Sequence, residues 1–426
     1  MRCASRFRWA LLAACLSGSL LSVQASEDAV EPVPPTLQTD NTAASPVWRI
    51  NTFGTLAMAR LNAAGLQLRQ ENTAPSGIGA NWTGSYDSRL GVQISYEARP
   101  GLDLTLQPVW RRQTSTDRMG AEVDWAYVDW KPAPDWAFKV GRFGSPLFLG
   151  SEQRSLGLSQ PWVRPPAEVY GQLGQVPSLD GVWLRRSLSQ VDRTVQVDAY
   201  LARHRERRGD QAVEHHPIGG LRLQLLGTDW TWQAMAAQAH TRLRLSPQSP
   251  VLQALALLGA PAVGGDPVAA LEYDVRDIRR LRFLSLGVRH DGRPWLLQAE
   301  VARISSDNRA LPGSVGAYVT VGRQWQDWLL HLSWSGLRGI DPREESRFSG
   351  VAAQLVSDLQ ASQRRDGQHR LALGLRHDLQ PGLALKAQID RIRPRSTSPA
   401  GMFLEPQLPP GQRTVLLYSL AVDWAY

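Results

Sequence analysis

The chain has 426 residues, a formal charge of +8 at pH 7 and only two cysteines. Its length would allow two or three soluble domains, but no linker-like segment divides it after residue 46. The positive charge is not gathered into a basic tail or a known binding motif, so the sequence argues against nucleic-acid binding. No segment after residue 25 reaches the roughly 20 apolar residues of a membrane-spanning helix.

Residues 1–25 have the pattern of a cleaved secretory signal peptide. Three arginines precede an apolar run from Trp9 to Val23, and a small-residue cleavage site ends at Ala25. A lipoprotein box ending at Cys15 is the alternative cleavage site, but apolar residues continue past it. Both cysteines lie in the signal, so the exported chain would form no disulfide. The Pro-rich, acidic residues 26–46 predict a disordered periplasmic leader.

From Val47 onward, extended segments of about ten residues alternate apolar and polar side chains. Residues 89–97 and 102–107 alternate in this way on either side of a tight turn at Arg99–Gly101, which predicts a hairpin. The unit recurs around further short turns near residues 132–135, 187–192, 226–229, 290–293, 324–327 and 380–382.

The connections on the other side of each hairpin are longer and polar. They cover residues 62–87, 114–120, 144–178, 204–217, 241–281, 305–314, 338–368 and 394–412. Seven short turns and eight long loops predict about sixteen strands. We place short helices inside two of these loops, at residues 250–258 and 351–363.

The last strand, Thr414–Tyr426, shows the alternation most clearly. Its apolar row, which includes Leu420, Trp424 and Tyr426, requires an apolar solvent on one face. Other tryptophans stand beside the short turns, as in an aromatic girdle at a membrane interface, namely Trp130, Trp136, Trp230, Trp232, Trp295, Trp325 and Trp328. The sequence therefore predicts an all-β protein over residues 47–426, a transmembrane antiparallel barrel with short periplasmic turns and long extracellular loops.

One stretch resembles a known family. Residues 122–130, 136–143 and 160–170 are similar to the hairpin and following loop of Gram-negative outer-membrane porins, which are sixteen-stranded and usually trimeric. The resemblance implies location in the cell outer membrane, contact with its lipid and lipopolysaccharide, and a homotrimer. It also implies that the barrel-assembly machinery reads the C-terminal strand.

The resemblance implies that the third long loop, residues 144–178, folds inward and constricts a pore. Its pore-facing side chains would be Glu152, Arg154, Arg164, Glu168 and Tyr170. Strand alternation selects wall residues that would face them, namely Arg89, Arg111, Lys139, Arg185, Arg222 and Arg289. The predicted function is passive diffusion of small hydrophilic solutes, and the excess of arginine on the inner face predicts a mild preference for anions.

Two other functions remain open at this stage. An outer-membrane barrel enzyme of the phospholipase type is one, although no set of serine, histidine and acid can be assembled from the sequence. A closed structural or adhesin barrel is the other. We predict no enzymatic activity and no cofactor. His204, His215 and His216 share a segment with arginines and no cysteine, so we predict no metal site there.

Overall fold

The computed structural model describes residues 47–69, 74–113, 116–173, 176–208, 211–365, 367–395, 403–404 and 414–426. All of them belong to one compact unit, Ala44–Tyr426. The predicted signal peptide, residues 1–25, and the predicted leader, residues 26–46, lie outside the described residues.

Sixteen antiparallel strands form one closed barrel, in which each strand pairs with the next along the chain. The count agrees with the prediction. The strands are β1 (Val47–Leu61), β2 (Arg89–Arg99), β3 (Leu102–Gln113), β4 (Arg118–Ala133), β5 (Trp136–Gly144), β6 (Ser178–Ser189), β7 (Thr194–Arg208), β8 (Gln211–Leu226), β9 (Trp230–Arg244), β10 (Asp277–His290), β11 (Trp295–Ser306), β12 (Gly313–Trp325), β13 (Trp328–Gly339), β14 (Gly367–Gln380), β15 (Leu383–Pro394) and β16 (Val415–Ala425).

Pairing between the first and last strands closes the barrel. The register runs from Phe53 opposite Ala425 to Leu61 opposite Leu417. At the short-turn end, the backbones of Thr52 and Tyr426 exchange two hydrogen bonds of 2.7 and 2.8 Å. Closure leaves no strand edge with unpaired backbone groups, which a hydrocarbon solvent could not satisfy.

The two faces of the sheet have opposite polarity. On β14, the outward side chains of Leu371 and Leu373 are 43% and 51% exposed, whereas the inward Arg370 is 3% exposed. The same alternation of exposed apolar and buried polar side chains recurs on the other strands. An apolar outer surface around a polar interior is the reverse of a soluble protein and matches a barrel surrounded by lipid.

Aromatic side chains mark the short-turn end of this outer surface. Trp130, Trp295, Trp325 and Tyr426 are 45–61% exposed there. A smaller exposed group lies toward the opposite end, with Trp82, Trp110 and Trp334. Aromatic rings gather where hydrocarbon meets headgroups, so the two groups indicate the two membrane interfaces.

We predicted a long loop at 204–217, but residues 204–208 and 211–217 of this segment are strand. β7 continues to Arg208 and β8 begins at Gln211. This part of the hairpin carries arginine, histidine and glutamate and has no continuous apolar row. Strands that extend beyond the hydrocarbon need no apolar face, so alternation of hydrophobicity could not detect them.

Helices occur in the long loops, as predicted. They are α1 (Ala167–Tyr170), α2 (Pro250–Leu258), α3 (Pro267–Ala270) and α4 (Gly350–Arg365). The last three share a small core with Tyr273 and Phe348. Arg347 bridges Glu272 and Glu345 beside this core, and its hydrogen bonds lower the pKa of Glu345 to about 2. Among the described residues, no helix is long and apolar enough to cross a membrane.

Contact of the outward face with hydrocarbon can be tested by placing a charged side chain there. Leu373 lies at the middle of β14, between the apolar side chains of Leu332 and Ile389. We expect Leu373→Arg to lower the free energy of unfolding by about 2–4 kcal/mol, the cost of arginine at the bilayer midplane. Urea unfolding in lipid vesicles would measure it.

The matched control is Leu271→Arg. Leu271 follows α3 in a long loop and is 70% exposed, so we expect a change below about 0.5 kcal/mol. Equal effects of the two substitutions would contradict a lipid-facing position for Leu373.

Candidate pore constriction

Residues 145–173 and 176–177, between β5 and β6, lie inside the barrel and contact its far wall. We call this segment the inner loop. Leu149 N donates to Glu300 Oε1 on β11 at 3.0 Å, and Val163 N donates to Gln388 Oε1 on β15 at 3.0 Å. Ser285 Oγ on β10 donates to Leu147 O at 3.0 Å. The wall thus supplies polar partners to loop backbone that would otherwise be buried without them.

Trp162 anchors the centre of the inner loop. Its ring is 1% exposed and packs edge-on against Tyr318, with centroids 5.5 Å apart. Its Nε1 donates to Thr320 Oγ1 at 3.1 Å and to Ser333 Oγ at 3.0 Å. These acceptors satisfy the indole N–H, which would otherwise be buried without a hydrogen bond.

Glu168 on α1 forms the most deeply buried ionic contact of the loop. Its carboxylate is fully buried and accepts from Arg370 Nε at 3.1 Å and Ser335 Oγ at 2.8 Å, and also from the Gln368 side chain. Asp390 lies 3.7 Å from the same arginine. Because separating these buried charges would leave each of them uncompensated, the cluster fixes α1 against β13, β14 and β15.

Two further cations hold the loop. Arg164 is 5% exposed and donates from Nε to Asp87 Oδ1 at 3.0 Å, with a second bond from Nη2 to Oδ2. Lys386 Nζ on β15 donates to Gly157 O at 2.8 Å and lies 2.7 Å from Asp423 Oδ2. The loop is therefore tied to the barrel at its first, middle and last thirds.

Gly316 on β12 allows the close approach of α1. A Cβ built at this position would lie 2.1 Å from Glu168 O, so any larger residue would displace the helix from the wall. A glycine in a strand interior often marks such an approach of another backbone.

The exposed side of the inner loop carries Glu152, whose side chain is 43% exposed. Its Oε1 accepts from Arg222 Nη2 at 2.9 Å and lies 3.5 Å from Arg185 Nη2. Asp198 pairs with both arginines from the wall, at 2.7 Å from each Nε. Four charged groups from the loop, β6, β7 and β8 thus meet inside the barrel.

A second charged cluster lies where the loop meets β3 and β4. Arg111 binds Asp124 with both terminal nitrogens at 2.7 and 3.0 Å and Glu122 at 2.9 Å. Ser155 Oγ of the loop donates to Asp124 Oδ2 at 2.5 Å. Arg89 and Arg154 line a cavity together with Arg111 and Asp124 of this cluster.

The three remaining predicted residues are Lys139, Tyr170 and Arg289, and Lys139 shares the ring of Trp183 with Arg185 and Arg222. Lys139 sits over the rings of Tyr127 and Trp183, at 5.0 and 5.1 Å from their centroids. Tyr170 is 8% exposed and its hydroxyl contacts Tyr318 Oη at 3.3 Å. Arg289 pairs with Asp291 near a short turn, away from the other wall residues.

The structure differs from the prediction for part of the loop. Glu152 and Arg154 reach the open side, whereas Arg164 and Glu168 are buried and anchor the loop in place of lining the pore. Burial of each side chain is accompanied by an ion pair, Arg164 with Asp87 and Glu168 with Arg370.

The sequence reasoning also left out Asp87, Asp124, Asp198 and Trp162. Alternation could have placed Asp198 inward. Asp124 sits at a β-bulge, where the register shifts between Gln107 and Pro108, so simple alternation assigns it to the wrong face. No local signal links Asp87 to Arg164, since 77 positions separate them.

Two cavities lie on either side of the charged clusters. The first, about 440 Å³, opens toward the long loops and is lined by eight arginines and six aspartates or glutamates. The second, about 530 Å³, opens toward the short turns and is lined by Lys131, Lys139 and Arg185 with Asp129 and Asp135. Both linings carry more positive than negative side chains.

No group of three or more metal-ligating side chains occurs within the part of the chain that the structure describes. The rings of His204 and His215 stack at 6.1 Å, and His215 Nδ1 contacts Thr241 Oγ1 at 2.7 Å.

Comparison of the sequence with protein-family models and with curated proteins gives no match. Solved structures do match. The outer-membrane channel DcaP of Acinetobacter baumannii aligns with a TM-score of 0.52 and 9% identity over 89% of this chain and 97% of that chain. The anion-selective porin of Comamonas acidovorans aligns with a TM-score of 0.51 and 11% identity over 89% of this chain and 100% of that chain.

This chain has the fold of the sixteen-strand outer-membrane porins. OmpF of Salmonella typhi, solved with daunomycin, has a TM-score of 0.50 and 9% identity over 89% of this chain and 97% of that chain. Barrels of this porin fold reside in the outer membrane of Gram-negative bacteria, the location that the sequence predicts. At these identities the likeness establishes the fold, so the chemistry of the lumen must come from this chain's own residues.

The anchoring role of Glu168 can be measured. Glu168→Gln keeps the size of the side chain but removes the nearer of the two carboxylate charges that neutralise Arg370. We expect the free energy of unfolding to fall by about 3 kcal/mol, because the arginine stays buried with incomplete pairing. The fluctuations of the single-channel current should also increase, because α1 would be held less firmly against the wall.

Glu122→Gln is the matched control. Glu122 is 32% exposed, and its partner Arg111 keeps both bonds to Asp124. We expect its effect to stay below about 1 kcal/mol. If Glu168→Gln matches the control in its free energy of unfolding and in its current fluctuations, the buried pair does not hold the loop.

Proposed function

We propose that the protein is a passive diffusion channel for small hydrophilic solutes with a mild preference for anions. One observation carries the proposal: the inner loop is fixed across a polar barrel interior and keeps charged side chains on its open side. Such a loop restricts passage by width and by the field between opposed charges.

The anion preference rests on the balance of charge along the cavities. The cavity at the long-loop end has two more arginines than carboxylates in its lining. The cavity at the short-turn end has one excess cation. A surplus of fixed positive charge raises the local concentration of anions, and low-dielectric walls strengthen the effect.

Ion selectivity in planar bilayers would test this preference. Under a salt gradient, we expect a reversal potential of anion-favouring sign. Glu152→Gln should shift it further toward anions, because one negative charge leaves the loop, and Arg154→Gln should shift it toward cations.

The two substitutions control for each other, since both change one charged group on the open side of the inner loop into an amide. A clear cation preference of the unmodified channel would refute the proposal. Shifts of the same sign in both variants would mean that the loop charges do not set the selectivity.

The channel should be narrow. The inner loop contacts the wall at Lys386, at Asp124 and at Arg222, three points on well-separated strands. In liposome swelling assays we expect rapid uptake of monosaccharides and amino acids and much slower uptake of trisaccharides. Absence of swelling with every solute would favour the closed structural or adhesin barrel.

The same vesicles separate a channel from an enzyme. We propose that the protein has no catalytic activity, so no fatty acid should be released. Ser333 Oγ lies 3.4 Å from His331 Nδ1, but both residues are buried inside the barrel, 3% and 2% exposed. A phospholipid ester in the surrounding bilayer could not reach them. Release of fatty acid would support the phospholipase-like alternative.

For the partners, we propose a homotrimer and recognition of β16 by the barrel-assembly machinery. The porin fold supports the first, and the outward aromatic row of β16, with Tyr426 61% exposed, supports the second.

A further inference from the structure

The cavity of about 530 Å³ at the short-turn end of the lumen is lined mainly by β4, β5 and β6. Arg185 belongs to this lining, and its Nη2 lies 3.5 Å from Glu152 Oε1 of the inner loop. The cavity therefore adjoins the constriction. Its volume is in the range of small-molecule binding sites, about 300–1,000 Å³.

Lys139 on β5 contributes a positive charge to the lining. Its ammonium group lies over the rings of Tyr127 and Trp183, 5.0 and 5.1 Å from their centroids. Within the described part of the chain no carboxylate forms an ion pair with it. Asp129 lies opposite it in the sheet register, but Asp129 Oδ2 is 3.6 Å from Lys131 Nζ. Aromatic rings attract a cation more weakly than a carboxylate does, so Lys139 can still bind an anion from the lumen.

Arg185 supplies a second cation beside the same indole. Its Cζ lies 5.4 Å from the centroid of Trp183, the residue opposite Lys139 in the register. Its Nε and Nη2 donate to Asp198, and among the described residues its Nη1 has no acceptor. Lys139 and Arg185 are diagonal neighbours in the sheet, with side chains rooted about 7–8 Å apart. The two oxygens of one carboxylate can accept from both.

Two buried polar atoms in this lining have no hydrogen-bond partner among the described residues. They are Asp129 Oδ1 and Trp183 Nε1, on residues that are 9% and 4% exposed. Buried polar atoms are normally paired, so each of these requires a partner. One is an acceptor and the other a donor. A ligand that satisfies both must therefore carry a donor group as well as an acceptor.

The donor that suits Asp129 is a hydroxyl group, because an ammonium group would approach the cations of the lining. The charged lining residues are Lys131, Lys139 and Arg185 with Asp129 and Asp135, a surplus of one positive charge. A zwitterion would leave this surplus in place, whereas a monoanion removes it. Ser187 and Gln196 add further neutral polar groups for hydroxyls.

We propose that this cavity binds sugar acids, monoanions in which a carboxylate adjoins a chain of hydroxyl groups. Lys139 and Arg185 bind the carboxylate, and a hydroxyl group donates to Asp129 Oδ1. The site rests on the proposed channel function and narrows its solutes to this class. Binding next to the constriction raises the occupancy of the channel by sugar acids, and contacts exposed to the lumen let them leave.

The test is block of the chloride current through single channels by three six-carbon solutes. D-Gluconate carries the carboxylate and the hydroxyls, D-glucose only hydroxyls, and hexanoate only the carboxylate. We expect gluconate to block half of the current at a concentration about tenfold lower than either of the others, because it alone makes both kinds of contact.

Two variants separate the contacts. Lys139→Gln should raise the half-blocking concentration of gluconate about tenfold and leave that of glucose unchanged, whereas Lys139→Arg should retain most of the block. Asp129→Asn should raise the value for gluconate and leave that for hexanoate unchanged. The conductance of each variant in potassium chloride shows that it is folded, and either contact decides even if the other variant does not fold.

Arg293→Gln is the matched control. It also removes one positive charge from the short-turn end of the barrel, but Arg293 is exposed and lines a separate cavity. Its half-blocking concentration of gluconate should equal that of the unmodified channel.

The proposal is overturned if gluconate blocks no better than glucose or hexanoate, or if Lys139→Gln responds like Arg293→Gln. In both cases the open current and its anion selectivity would persist, so the channel function would stand. Titration calorimetry of the detergent-solubilised barrel gives the converse. Binding of gluconate by a barrel that conducts no ions would support the site and refute the channel, and neither binding nor conduction would refute both.

Discussion

The structure depends on one constraint, which is that backbone polar groups find no partners in a hydrocarbon solvent. A sheet can meet that demand only by closing on itself, and here β1 joins β16 through a continuous register that ends at Thr52 and Tyr426. Closure with sixteen strands leaves a wide interior. Everything distinctive about this protein concerns what occupies that interior.

The interior is occupied by the inner loop, and buried charge holds it there. Glu168 pairs with Arg370 on the wall, and Arg164 pairs with Asp87 at the end of the first long connection. Lys386 pairs with Asp423 on the neighbouring strand and donates to Gly157 O of the loop. Buried pairs are poor sources of net stability but strong determinants of geometry, since breaking one leaves an uncompensated charge. Their value here is to fix the path of a loop that has little regular structure, so that Glu152 and the wall arginines meet at set distances.

The arrangement separates two roles that look identical in the sequence. Arg154 and Arg164 are both loop arginines, and Glu152 and Glu168 are both loop glutamates. One of each pair reaches the open side, and the other is enclosed by wall residues. The difference arises from which strand lies behind each side chain, and that depends on how the loop crosses the barrel.

The sequence by itself determined the strands, their approximate number, the two faces of the sheet and the aromatic ends, because alternation and turn chemistry are properties of neighbouring residues. It also located the loop that enters the barrel, through a family resemblance. Only the tertiary structure decided that Asp124 turns inward at a bulge, that residues 204–208 and 211–217 belong to strands, and that Arg164 meets Asp87. Alternation assigns a side chain to a face of the sheet. Depth and partners depend on strand tilt, register and the course of a loop, and these are set by contacts between residues far apart in the chain.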